Sequence, residues 1–232
     1  MVLAILWGNL WFGVLDSDFH GPSIPKLLGI EDEKPQATAT GFNPITASPN
    51  LKVMSVGFLL QTKDSPIIWR GPLKMGIAKQ FIGDVHWGEL DYLLIDLPPG
   101  TGDEPLTIAQ LIPDLDGAII VTTPQDVALN SVKKSINFVK KMNIPILGII
   151  ENMSGFTCPH CNKTSNIFKT GGAKKTATQY CIPFLGYIPI DPEIVTTGDN
   201  GIPFLEKNIN SKAGKTYTDI IKKINNHIKK RR

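Results

Sequence analysis

The sequence predicts an α/β fold, a mostly parallel β-sheet with helices on both faces. Three observations carry that expectation. Short apolar runs rich in β-branched residues alternate with longer stretches of helical period. Several of those runs are apolar at nearly every position, as strands covered on both faces are. Acidic and glycine-rich strings follow the runs, and an open parallel sheet binds its ligands beyond the carboxyl ends of its strands.

Strands are expected at residues 12–16, 51–56, 92–97, 118–122, 146–150 and 184–188, and helices at 73–82, 104–111, 127–141, 173–180 and 211–228. In the helix after Pro124, Val127, Ser131, Val132, Ile136 and Val139 trace a mostly apolar stripe. Strands alternating with helices imply right-handed crossovers between parallel strands. The polar, proline-containing segment 31–50 reads as a long surface loop. No internal repeat or low-complexity linker interrupts the pattern, so residues 1–232 are expected to form a single domain.

With 42% hydrophobic and 19% charged residues, the chain has the balance of a soluble globular protein with a real core. A net charge of +3 is too small to imply a nucleic-acid partner. Lys222, Lys223, Lys229, Lys230, Arg231 and Arg232 nevertheless crowd the last turns. They suit a solvated helix end facing the negative pole of its dipole, or a membrane or nucleic-acid patch. The apolar opening run, residues 1–15, lacks a basic leader region and a small-residue cleavage site, and it is too short to span a bilayer. A cytoplasmic location is expected. Three cysteines make no even disulfide framework, and in a reducing compartment a close pair signals metal or redox chemistry.

Two strand ends hold the first candidate chemistry. Asp16-Ser17-Asp18-Phe19-His20-Gly21 follows the first strand, and Asp96-Leu97-Pro98-Pro99-Gly100-Thr101-Gly102-Asp103 follows the third. An aspartate ending a buried strand before a glycine-rich turn is the Walker B and switch arrangement. Its carboxylate holds Mg²⁺, usually through water, while the turn's N–H groups face a γ-phosphate. The plainer alternative is an aspartate that caps the next helix, and it weighs more on Asp18 than on Asp96.

Cys158-Pro159-His160-Cys161 is the second candidate site. Two thiolates two residues apart share one metal, but the common thiolate sites need four ligands, and the chain has no second such pair. A two-fold dimer would complete a Cys₄ set. A [4Fe–4S] cluster and a shared zinc both suit four thiolates. Thioredoxin-like redox catalysis suits the motif less, because the pair comes late in the chain. His160 is either a further ligand or a solvated loop residue. Cys181, between a helix and a strand, reads as a buried core cysteine outside the site.

The strings VLDSDFHGPSIPKLLG, WRGPLKMGIAKQF, DYLLIDLPPGTGDEPLTIAQL, IIVTTPQDVAL, GIIENMSGFTCPHC and GYIPIDPEI, then GDNGIPF, occur in this order. Together they resemble the Mrp/ApbC family of iron–sulfur cluster carrier ATPases, relatives of MinD, ParA and the nitrogenase iron protein, from about Phe12 to the last helix. The resemblance implies a MinD/ParA-like P-loop NTPase fold and a homodimer that binds ATP and Mg²⁺. It also implies a [4Fe–4S] cluster at the subunit boundary, delivered to apo iron–sulfur proteins. Asp18 resembles the switch aspartate near Mg²⁺ and the attacking water, and Asp96 the Walker B aspartate; both are the candidate catalytic residues. Gly100 and Thr101 lie in the turn expected to face the nucleotide. Asn152 resembles the purine-contacting asparagine, and Pro189 and Asp191 lie in the segment flanking the adenine. The resemblance makes Cys158 and Cys161 the candidate metal ligands.

One family feature is missing from the sequence. Before Asp16 there are only Gly8 and Gly13, the first lysine is Lys26, and no GKGGVGKS-like Walker A run is present. The expectation is a chain truncated at its N-terminus, lacking the first strand and phosphate loop; the alternative is a degenerate paralogue. Without the loop's amides and lysine the chain as written is expected to be a poor ATPase.

Tyr217, Ile220, Ile221, Ile224 and Ile228 form an apolar stripe on the last helix. It suits packing on the sheet, or an amphipathic membrane helix like that of MinD-like proteins. The leading function is therefore cluster binding and transfer. A MinD/ParA-like positioning ATPase is the second reading, against which the paired cysteines argue. A nucleotide-independent iron–sulfur or zinc scaffold is the third.

Overall fold

Phe12–Asp16 (β1) consists of five buried residues in a row, so it needs protein on both faces and a strand on either side. It has both neighbours. Leu51–Ser55 (β5) and Tyr92–Asp96 (β6) flank it in parallel, with Asp16 opposite Ser55 on one side and Asp96 on the other. The computed structural model describes residues 10–60 and 71–230. The opening run 1–9, Trp69 and Arg70 of the second quoted string, and the terminal Arg231 and Arg232 lie outside the described residues. The chain divides into two compact units, Met1–Ile112 with Thr196–Glu206, and Pro113–Val195 with Lys207–Arg232.

In the first unit, β1 leads through a loop to the short helix Ile24–Leu27 (α1). Gln36–Thr38 (β2) and Gly41–Asn43 (β3) then pair as an antiparallel hairpin, and Ile45–Ser48 (β4) runs antiparallel to β5. The segment 31–50, expected to be a loop, is therefore a surface hairpin plus an edge strand. Backbone pairing holds β2 and β3, which bury little, so they left no apolar period to read. The sheet order is β4-β5-β1-β6, a mixed sheet with a parallel centre.

Gly71–Gly83 (α2) and Asp103–Leu111 (α3) pack on each other, and their residues Ala78, Phe81 and Ile108 join Leu15, Phe19, Met54 and Trp87 in the core. Gly13 explains why that core closes so tightly on β1. A Cβ there would lie 2.7 Å from Leu90 and 2.8 Å from Leu93 side-chain carbons.

The second unit has its own three-stranded parallel sheet, Ala118–Thr122 (β7), Ile146–Glu151 (β8) and Phe184–Tyr187 (β11), in the order β11-β8-β7. Asp126–Lys141 (α4) and Gly172–Tyr180 (α5) cover it, with Ile120, Val132, Ile136, Ile149, Ala173 and Ala177 in one cluster. Between β8 and α5 a small hairpin, Phe156–Thr157 (β9) with Thr164–Ser165 (β10), stands out from the sheet. Pro192–Asp199 (α6) and Phe204–Asn208 (α7) precede the last helix, Lys212–Lys229 (α8).

The six long strands and five long helices fall within a residue or two of their expected bounds. The half-exposed β6 and the alternating β7, whose Ile119 and Val121 are open, are not covered on both faces. Among the described residues each is the outer strand of its sheet. On α8 the apolar stripe is covered: Ile220, Ile221, Ile224 and Ile228 are buried and the helix lies on β11 and β8. Packing thus accounts for the stripe. No helix among the described residues is long and apolar enough to cross a membrane.

Candidate functional site

The parallel register of the first unit brings three polar residues to one level at the carboxyl ends of neighbouring strands: Ser55, Asp16 and Asp96. Asp16 is fully buried. Ser55 Oγ donates to its Oδ2 at 2.8 Å, and the Asp18 amide donates to its Oδ1 at 3.2 Å. Burial pushes the Asp16 carboxyl up to about 6; those hydrogen bonds pull against the rise and the Asp96 charge adds to it. Asp96, at the exposed end of β6, is raised too, chiefly by partial desolvation and then by the Asp18 charge. Asp18 and Asp96 are therefore close enough to feel each other.

Asp18 Oδ1 accepts from the amides of His20 at 3.0 Å and Gly21 at 3.1 Å, a local turn that shapes the loop after β1. Beside these groups the Ser17 hydroxyl is buried without a hydrogen-bond partner among the described residues. Gly100, at φ +103°, and Thr101 form the exposed turn before α3. Only a glycine enters that backbone region freely.

A second polar cluster braces the same end. Lys74 of α2 donates to Glu104 Oε1 of α3 at 2.9 Å, and His20 Nε2 lies 2.8 Å from Lys74 Nζ and 3.6 Å from Glu104 Oε1. Burial alone would raise Glu104, but the hydrogen bond and charge of Lys74, with help from His20, hold its carboxyl below the ordinary glutamate value. That pairing stabilises the fold above the unfolded glutamate value of about 4.3 and is lost as pH falls through the lower folded value. Lys74→Met leaves burial opposed only by the Glu104 backbone hydrogen bond and, more weakly, by the exposed His20. The carboxyl should then rise, so the variant loses the stability that the parent gains as pH climbs through the acid range around the unfolded value of about 4.3. Urea midpoints measured across that range check this; parallel pH profiles for variant and parent would rule it out.

In the second unit, Asn152 follows β8, while Pro189 and Asp191 follow the neighbouring parallel strand β11, so all three leave the sheet at the same end. The Asn152 amide donates to Thr122 O at 2.7 Å, and its side-chain Oδ1 accepts from the Met153 amide at 2.9 Å. The two loops are knitted by amide bonds from Ser154 to Ile188 O and from Ile190 to Gly155 O. Asp191 Oδ1 accepts from the Glu193 amide at 3.0 Å, which makes it the cap of α6.

Glu151, which the sequence reading passed over, organises this end. It is fully buried at the last position of β8. Its Oε1 accepts from Ser154 Oγ at 2.6 Å and the Gly171 amide at 2.8 Å, and its Oε2 accepts from the Ala173 amide at 2.7 Å. Gly171, at the start of α5, has no side chain with which to cap it. Glu151 supplies the cap from the strand, placing negative charge at the helix's positive end.

The cysteines sit at the tip of the β9–β10 hairpin. The Cys158 amide donates to Lys163 O at 3.0 Å and the Asn162 amide to Cys158 O at 2.9 Å, closing the six-residue tip, with Asn162 at φ +55°. Inside that turn the amides of Cys161 and then His160 face the Cys158 sulfur and, with the Cys161 thiol, hold the Cys158 thiol below its ordinary value. Amides aimed at sulfur favour the thiolate, the form that binds metal. Both cysteines are free, Cys158 half-buried and Cys161 exposed. Among the described residues no three His, Cys, Asp or Glu side chains gather to hold a metal ion. The hairpin thus offers two thiols, and the aspartates alone offer no closed cation cage. Cys181 is a correction: it is exposed, because it ends α5 in the left-handed conformation at φ +55°.

An α/β chain with paired acidic strand ends before a glycine turn has the build of a P-loop NTPase of the MinD/ParA type. MinD from Pyrococcus furiosus shares that fold, with a TM-score of 0.65 at 20% identity over 97% of this chain and 90% of its own. The family model for ParA, the NUBPL iron-transfer P-loop NTPases, matches residues 2–225, and the chain belongs to that family. Two relatives named iron–sulfur cluster carrier protein are similar along their sequence. The one from Methanocaldococcus jannaschii is 54% identical over 91% of this chain and 72% of its own. The one from Saccharolobus solfataricus is 46% identical over 97% and 76%. A nucleotide-binding protein from Archaeoglobus fulgidus, solved with ADP and with cobalt found in it, superposes with a TM-score of 0.75. It is 40% identical, over 89% of this chain and 81% of its own.

Proposed function

We propose that this chain is an iron–sulfur cluster carrier whose cargo is a [4Fe–4S] cluster, held by Cys158 and Cys161 together with the same pair from a second copy. The observation that carries the reading is the hairpin itself. It presents two free thiols on a preformed turn, its amides favour the thiolate at Cys158, and no third ligand is gathered beside them among the described residues. Half a ligand set on a projecting tip suits an isologous pair, since a two-fold axis supplies the other half. The half-buried and exposed positions of the two sulfurs suit cargo that must leave again. The relatives' names support the same reading.

By the family resemblance, Asp18, Asp96, Gly100 and Thr101 are proposed to serve Mg²⁺ and nucleotide phosphates, and Asn152, Pro189 and Asp191 are proposed to serve a purine base. The raised Asp96 and the orphaned Ser17 hydroxyl fit a strand end built to meet a cation and its water. ATP, when bound, would supply the energy that switches the carrier between holding and releasing states. The residues' own part is to hold the cation and set the loop after β1 through Asp18.

A transfer assay tests the proposal. Chain loaded anaerobically and mixed with an apo-ferredoxin of the four-cysteine type should restore the recipient's visible spectrum in the presence of an iron chelator. Restoration no faster than from free iron and sulfide under the same chelator would rule out a carrier.

A further inference from the structure

Charge is unevenly shared between the two units. The second carries 17 basic and 7 acidic residues, a net charge of +10, and the first 7 basic and 14 acidic, a net charge of −7, which together make the +3 of the chain. The positive unit is the one that holds the cysteine hairpin.

Its longest helix displays much of that charge on one side. Lys212, Lys215, Lys222, Lys223 and Lys229 of α8, with Lys230 at its cap, are all exposed. At roughly 100° per residue they fall within an arc of about 120°, opposite the buried stripe of Ile220, Ile221, Ile224 and Ile228. The face is about 27 Å long, and Asp219 is its single acidic residue. Lys215, Lys222, Lys229 and Lys230 have no ion pair or side-chain hydrogen bond among the described residues. A surface that needs only solubility intersperses both signs.

The face begins at the hairpin. Lys212 Nζ donates to Thr157 Oγ1 at 3.2 Å, beside Cys158, and the exposed Lys163 stands on the tip itself, two residues after Cys161.

The composition of the face selects its partner. All six cations are lysines, which are strongly hydrated and depleted from the cores of interfaces. Such charges speed an encounter more than they prolong it. That suits a protein that must dock, take cargo and leave. A bilayer fits worse, because the apolar stripe of α8 is buried on the sheet and no large apolar residue shares the exposed arc. A nucleic acid fits worse too, since Asp219 stands in mid-face and no aromatic ring lies there to stack on a base.

We propose that this lysine face, from Lys163 and Lys212 at the hairpin along α8 to Lys230, docks the acidic surface of the apo-protein that receives the cluster. The inference rests on the carrier reading and adds where the recipient binds.

The test measures docking apart from cargo. The metal-free full chain is titrated by calorimetry with an acidic apo-ferredoxin, and in parallel with vesicles of phosphatidylcholine and phosphatidylserine and with a short DNA duplex. A saturable complex with apo-ferredoxin is expected, weakening at least about tenfold between about 50 mM and 300 mM salt. The triple variant Lys215→Glu, Lys222→Glu, Lys229→Glu should weaken it at least about tenfold and slow transfer by a similar factor, with iron and sulfide loading unchanged. Lys134→Glu, Lys141→Glu, Lys174→Glu makes the same charge change on α4 and α5, and should leave docking within about twofold. Circular dichroism of the variants confirms that they fold. Equal weakening by both triples, docking insensitive to salt, or tighter binding to the vesicles or the duplex would each overturn the assignment. Transfer at the parent's rate from the α8 triple variant would overturn it too and leave the carrier reading standing. Docking by a chain that loads no cluster would support the face and overturn the carrier reading alone.

Discussion

Cys158→Ser and Cys161→Ser chains are each expected to lose the broad visible absorbance of a reconstituted cluster completely, while Cys181→Ser keeps it. The size of the effect follows from ligand arithmetic. In a shared Cys₄ set, one substitution per chain removes two of four thiolates, because symmetry repeats the change. Two serines cannot replace them, since iron in such clusters is held by soft thiolates. Cys158 should be the more sensitive under mild loading conditions, because the Cys161 and His160 amides favour its thiolate. Cys181 is the fair control: like Cys161 it is a free, exposed thiol, but it ends α5 rather than sitting on the hairpin. Iron and sulfide assays on the three variants give the comparison directly. Retention of the cluster by Cys158→Ser would remove the hairpin from the site.

Glu151→Ala is expected to be a severely damaging change to the second unit, lowering unfolding free energy by about 3–5 kcal/mol through three donors left unpaired. The carboxyl is fully buried and accepts from Ser154, Gly171 and Ala173. Alanine would leave those donors facing a cavity, at roughly 1–3 kcal/mol for each buried group left unpaired, less whatever water enters. Glu151→Gln keeps the volume but turns one acceptor into a donor against the amides that point at it, so an intermediate loss is expected. Because Glu151 caps α5 and fixes the Ser154 loop, the damage should spread to Asn152 and the hairpin. Urea denaturation measures the loss, and hydrogen exchange at Ser154, Gly171 and Ala173 locates it. A Glu151→Ala chain within about 1 kcal/mol of the parent would show that the cap is dispensable.

The same two acidic ends show how far the sequence could be read. The elements were legible because burial and period coincide in them: residues 127–141 were expected as a helix and Asp126–Lys141 is one. The hairpin of Cys158 and Cys161 was not, since β9 and β10 have two residues each, too few for any period. Asp18 and Asp96 were legible from their strings, whereas the burial of Asp16 depends on β5 and β6 ending level with β1. Glu151 was missed for a similar reason. Its partners lie 20 and 22 residues downstream at the start of α5, and only the folded sheet brings them to its carboxyl. Cys181 was misplaced because a cysteine at a helix–strand junction reads as core, and only its left-handed backbone reveals that it points to solvent.

In the proposed carrier, two copies of the hairpin share one cluster. Light scattering coupled to iron and sulfide analysis of the anaerobically loaded chain tests it most directly. The expected species has the mass of two chains and about four irons and four sulfides, and it reverts to single chains with colourless protein when the cluster is removed. A full cluster on a single chain, or a colourless monomer that binds one zinc ion, would contradict the claim.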